Sequence, residues 1–115
     1  DHLLYHAKEK ALGMARGGYR PPRPQVFKAG GVDMAKTMNV QLWGMVEAGW
    51  ATEHDGLIAR KVSHVLCGGT VAEGTVLDEQ AYLDLEREAF VSLCGEDKSL
   101  ARMESLLMTG KPLRN

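Results

Sequence analysis

Four histidines, two cysteines and a group of acids are the side chains here whose types and spacing invite chemistry. His2 and His6 stand four apart, one helical turn, the spacing at which two imidazoles share a metal. No Glu follows His2 as a zinc-protease motif requires, no third ligand is evident, and plain exposure near the terminus is the better explanation of the pair. His54-Asp55 has the make-up of a base with its orienting acid. Neighbours in a helix point in different directions, however, and both residues sit in a helix-start sequence. His64 lies on an apolar stripe, as a packed or interfacial histidine does. Cys67 and Cys94 lack short ligand spacing, so they give neither a zinc signature nor a disulfide framework and read as packed thiols. Glu79, Asp84, Glu86 and Glu88 cluster on one segment. Paired carboxylates do acid–base work only in a closed pocket that shifts their acidity, and these fall on the polar side of a stripe.

Two further groups are candidates for binding. Six methionines, among them Met34, Met38 and Met45, could make a plastic groove but read rather as core filling. Arg20-Pro-Pro-Arg-Pro24 contains the elements of a proline-rich recognition ligand, although between two helices it reads as a docked linker. Arg16, Arg20, Arg23 and Lys28 gather positive charge that suits phosphates, acidic side chains or plain solvation. Neither a nucleophile elbow nor a glycine-rich phosphate fingerprint occurs. On its residues alone the chain has no self-sufficient active site.

Composition narrows the class. At 115 residues the chain fits one domain, small for a complete metabolic enzyme. With 44% hydrophobic and 25% charged residues it is ordinary for a soluble globular protein, and a net charge of -1 argues against nucleic-acid binding. No apolar run is long enough to span a membrane. The start, Asp1-His-Leu-Leu, enters a helical pattern at once without an initiator Met, which suggests a piece of a longer chain.

The elements that position these groups are helices. The first is expected from about His2 to Arg16, with Leu3, Leu4, Ala7, Ala11, Leu12 and Ala15 on one side and Gly17-Gly18 ending it. Residues 19–31 form an extended Pro/Gly linker, since proline fixes the backbone and removes donors. The second helix, about Val32 to Ala48, has Asp33 as first-turn acid or cap. Its interior Gly44 costs roughly 1 kcal/mol relative to alanine, which a close approach there would rationalise. Thr52-Glu-His-Asp55 resembles a capping box and opens a third helix, stopped by Gly68-Gly69. After a loop over Thr70 to Leu77, Asp78 caps the fourth helix, and Asp97 or Ser99 the fifth. Tyr82, Leu85, Ala89 and Leu93 make the fourth stripe; Leu100, Met103, Leu106 and Leu107 the fifth. Gly95 and Gly110 stand where left-handed residues end helices. With no useful strand alternation and no repeat, the fold expected is all-α with about five helices, a single helical domain over 1–115.

The final third carries a resemblance. Leu85-Glu-Arg-Glu-Ala-Phe-Val-Ser-Leu-Cys-Gly-Glu-Asp-Lys-Ser, then Arg102, Met103, Leu107 and Thr109-Gly-Lys-Pro-Leu-Arg-Asn115, resembles the C-terminus of long bacterial 3-hydroxyacyl-CoA dehydrogenases. Ala7-Lys8, Gly18-Tyr19, Ala29-Gly-Gly31, Glu53-His-Asp55 and Val65-Leu-Cys-Gly-Gly69 agree, so the likeness extends over nearly the whole chain. In that family an NAD-binding dehydrogenase part is followed by an enoyl-CoA hydratase/isomerase, crotonase-like part, whose last helices end in a basic-proline tail. The resemblance implies a C-terminal helical domain of a bacterial, cytoplasmic fatty-acid β-oxidation enzyme. Its parent would oxidise 3-hydroxyacyl-CoA with NAD and hydrate or isomerise enoyl-CoA. The glycine-rich cofactor loop, the dehydrogenase histidine and glutamate, and the hydratase glutamates have no counterpart in these 115 residues. The fragment is therefore expected to hold no catalytic residue, to bind no cofactor or metal, and to serve packing and contact with its own upstream domains or a homo-oligomer partner. Lys111, and less well Arg114, match the position at which basic tail residues approach CoA phosphates, although Lys111 also suits a helix C-terminus by the dipole alone. The alternative is a free-standing helical protein-interaction module working through its methionine-lined face.

Overall fold

Amphipathic stripes broken by glycine become five helices in the computed structural model, which describes residues 2–115. These are α1 (Leu3–Arg16), α2 (Gly31–Glu47), α3 (Glu53–Leu66), α4 (Glu79–Leu93) and α5 (Asp97–Thr109), with strands β1 (Val26–Lys28) and β2 (Val76–Asp78) between them. The all-α expectation holds, since the strands amount to three residues each. They pair antiparallel, Phe27 opposite Leu77, and Phe27 meets the Tyr82 ring edge-on at 5.8 Å. The strands lie in the expected linker and loop; three residues are too short to show alternation.

The centre is the α2–α3 pair, on which α4 packs through α3. The close approach falls at Gly56, where an added Cβ would lie 2.9 Å from Val46 Cγ2. It does not fall at Gly44, which has open space around its Cα. Ser63 Oγ, fully buried, sits 2.9 Å from both Asn39 Oδ1 and the Arg60 carbonyl, and Cys67 Sγ lies 3.7 Å from Met38 Sδ. Both cysteines are free thiols, Cys67 buried and Cys94 half-buried. Gly31 is left-handed at φ +74° and donates its N–H to the Cys67 carbonyl, tying the start of α2 to the end of α3.

The ends of the helices correct several expectations. Asp33 is a first-turn acid paired with Lys36 at 3.0 Å, and Gly30 holds the cap position. Asp78 caps α4 as expected, accepting from the Ala81 N–H. Glu96, not Asp97 or Ser99, is the α5 cap residue and gives no side-chain bond; the Ser99 hydroxyl is turned inward instead. Gly110 ends α5 at φ +69°, whereas Gly95 is not left-handed. The apolar stripes of α1 and α5 stay largely uncovered: Leu4 and Leu107 are each 83% exposed, and α1 buries no residue.

Candidate functional site

Thr52 and Asp55 form the capping box that begins α3: the Asp55 N–H donates to Thr52 Oγ1 at 3.1 Å, and the Thr52 N–H to Asp55 Oδ2 at 2.9 Å. The box frees Asp55 Oδ1 to face α5, where Arg102 Nη1 donates to it at 2.6 Å. Arg102 Nη2 reaches Thr52 Oγ1 at 3.3 Å and the Asn115 backbone carbonyl at 3.1 Å, while Nε donates to Asn115 Oδ1 at 2.7 Å. Asn115 Nδ2 donates in turn to the Lys98 carbonyl. One guanidinium thus clasps the start of α3, the body of α5 and the last residue. A planar fork of five donors suits this in a way that a lysine would not.

Asp55 has its carboxyl lowered from 3.8 to about 2. The Thr52 N–H is the largest cause and the Arg102 hydrogen bond the next, with burial opposing both. On the other side of α3, buried His54 sets Nε2 3.0 Å from Ser99 Oγ. His54 and Asp55 therefore serve two separate contacts to α5 and do not pair with each other. Together these contacts tie α5 to α3 by polar bonds. Among the described residues, no buried side-chain nitrogen or oxygen lacks a partner.

The clasp also positions the tail. The Thr109 hydroxyl donates to the Ser105 carbonyl at 2.6 Å and accepts from the Lys111 N–H at 3.2 Å, while Ser105 Oγ donates to the Lys111 carbonyl at 2.9 Å. The Lys111 side chain is left exposed beyond the C-terminus of α5. Arg114 Nη2 donates to the Trp50 carbonyl at 2.8 Å, tying the tail to the turn after α2. Arg102 gives four hydrogen bonds within the clasp, whereas the Lys111 and Lys98 side chains are exposed.

The remaining candidates lie apart. His2 and His6 have ring centroids 6.5 Å apart on exposed α1, and among the described residues no three His, Cys, Asp or Glu gather as a metal site. Asp84 pairs with Arg87 at 2.8 Å and accepts from Gln80, while Glu79, Glu86 and Glu88 stay exposed on α4. Arg16, Arg20, Arg23 and Lys28 are exposed along the stem between α1 and β1. Half-buried His64 borders a cleft between α3 and α4 near Glu88. The opposite side of that helix pair carries an apolar groove of about 470 Å³, lined by Val62, Leu66, Leu83 and Phe90 and edged by Lys61, Glu79 and Glu86. Met34 and Met45 are exposed on α2, so they do not fill the core as expected, and neither lines that groove. No helix is long and apolar enough to cross a membrane among the described residues.

Sequence reasoning missed the clasp because its partners are separated by 13 to 50 positions. One signal was available: Ser99 and Arg102 share a helix face, polar residues where the inner side of an amphipathic helix would be apolar.

With that geometry in place, likeness to known proteins becomes informative. The chain is 45% identical over all 115 residues to a Bacillus subtilis protein named a probable 3-hydroxyacyl-CoA dehydrogenase. The chain is similar to one part of a dehydrogenase. It spans 15% of that protein's length. No family model matches the chain, and no solved structure matches it.

Proposed function

We propose that this chain is the C-terminal helical portion of a 3-hydroxyacyl-CoA dehydrogenase of fatty-acid β-oxidation, a part that packs and orients rather than catalyses. The observation that carries this reading is the 45% identity sustained from the first residue to the last against the Bacillus subtilis protein. The parent uses NAD to oxidise 3-hydroxyacyl-CoA in the cytoplasm and carries a crotonase-like part that hydrates or isomerises enoyl-CoA. The motif resemblance of the last third supports the second activity.

Within this chain Arg102 bonds to Asp55 and His54 to Ser99, each pair joining α3 to α5, which supports a packing role. Lys111 acts as a point charge toward a CoA phosphate, and Arg114 holds the tail that presents it.

Two measurements test the reading. The 115-residue chain supplied with 3-hydroxybutyryl-CoA and NAD, or with crotonyl-CoA, should show no turnover above blank. In the complete protein, Lys111→Ala should raise KM for acyl-CoA severalfold and leave kcat unchanged. Turnover by the chain alone would overturn the packing role, and an unchanged KM the phosphate contact.

A further inference from the structure

Lys111 is an exposed lysine on a closely constrained stretch of backbone. Gly110 before it is left-handed at φ +69°, with its N–H on the Leu106 carbonyl at 2.9 Å. Pro112 after it has a fixed φ and restricts the residue that it follows to extended conformations. The Lys111 N–H donates to Thr109 Oγ1 at 3.2 Å, and its carbonyl accepts from Ser105 Oγ at 2.9 Å. The Thr109 hydroxyl is aimed in turn by its 2.6 Å bond to the Ser105 carbonyl. Both polar groups of the Lys111 backbone are therefore held by two hydroxyls, four apart on one face at the end of α5.

The side chain is treated in the opposite way. Among the described residues the ion pairs are Lys36–Asp33, Arg87–Asp84 and Arg102–Asp55, and Lys111 is in none of them. Residues 105–115 contain Lys111 and Arg114 and no acid. A cation that only complements the helix dipole needs no fixed backbone, because the attraction acts anywhere near the last turn. A cation that meets one phosphate gains from fixing. An ammonium on a flexible four-carbon stem loses less freedom on binding when the backbone beneath it is already set.

We propose that Ser105 and Thr109 are positioning residues for Lys111, fixing its backbone so that the ammonium is presented to a phosphate at the nucleotide end of acyl-CoA. The choice of acyl-CoA rests on the dehydrogenase reading, whereas the fixed backbone does not.

The test variant is the pair Ser105→Ala, Thr109→Val, which removes both hydroxyls and leaves Lys111 in place. In the 115-residue chain, NMR relaxation should give the Lys111 amide an order parameter of about 0.85, falling below about 0.6 in the pair. In the complete protein the pair should raise KM for 3-hydroxybutyryl-CoA about threefold and leave kcat unchanged. KM for the matching pantetheine thioester, which lacks the phosphates, should not move. Thr109→Ser alone keeps the hydroxyl and should behave as the native protein. With Lys111→Ala already present, the pair should add nothing.

A Lys111 amide as mobile in the native chain as in the pair overturns the positioning, whatever the enzyme assay gives. So does a pair with native KM when Lys111→Ala raises it, or a pair that impairs both thioesters alike. If Lys111→Ala leaves KM unmoved although the order parameter falls as expected, the acyl-CoA contact is overturned and the fixed backbone is not.

Discussion

Arg102 decides the local structure around it through hydrogen bonds, since its guanidinium serves Asp55, Thr52 and Asn115 at once. Removing it strands Asp55 beside the cap and releases the last residue, and hydrogen bonds to charged groups are worth about 1.5–3 kcal/mol. Arg102→Met should therefore lower the stability of the chain by about 2 kcal/mol in urea unfolding. Asp55 gives the clasp a pH dependence of known sign. Its carboxyl falls from 3.8 to about 2 on folding, so its contribution is fully present above about pH 4 and lost as pH drops toward 2. Unfolding curves across that window should show the loss in the native chain, and Asp55→Asn should flatten it. An unchanged slope in the variant would mean that another carboxylate dominates acid unfolding.

Between elements, joints made by glycine contrast with joints made by polar side chains. At Gly31 the backbone is left-handed, and a Cβ would come within 2.7 Å of the Ala72 carbonyl carbon. Gly31→Ala should therefore destabilise the α2–α3 joint by well over the roughly 1 kcal/mol of an ordinary glycine replacement, read as a lower thermal midpoint. The Thr52 box and the Gly110 stop were legible beforehand, because each depends on residues within a few positions. The Glu96 cap was not, because the Ser99 hydroxyl that local rules assign to capping is drawn to His54, 45 positions away. The β1–β2 pair was hidden for the same reason: Phe27 meets Leu77 only once α2 and α3 have turned the chain back. The apolar stripe of α5 was read correctly as a pattern, but the pattern does not say what covers it, and in this chain Leu106 and Leu107 face outward. Of the candidate site, the tail cations were visible as residue types, whereas the clasp that presents them is tertiary.

For the whole molecule, the extended dimensions follow from the projecting α1 arm. The radius of gyration is 19.7 Å, against about 13 Å for a compact domain of this length, and the long axis is 58 Å. Few side chains are fully buried: Ala29 and Cys67 are the buried apolar residues among those described. Such a surface suits a part that is completed by neighbours. The stem between α1 and β1 carries one more consequence, for the way a protease meets this chain. Arg20 and Arg23 are each followed by proline, whose ring nitrogen bears no hydrogen, and trypsin does not cut such bonds. Lys28 is held in the strand pair, with the next N–H bonded to Thr75. Within the stem the scissile bond left open is the one after Arg16, so brief trypsin treatment should remove α1, whole or cut further at exposed Lys8 and Lys10, while the body from residue 17 onward stays together. The prolines that extend the stem also guard it.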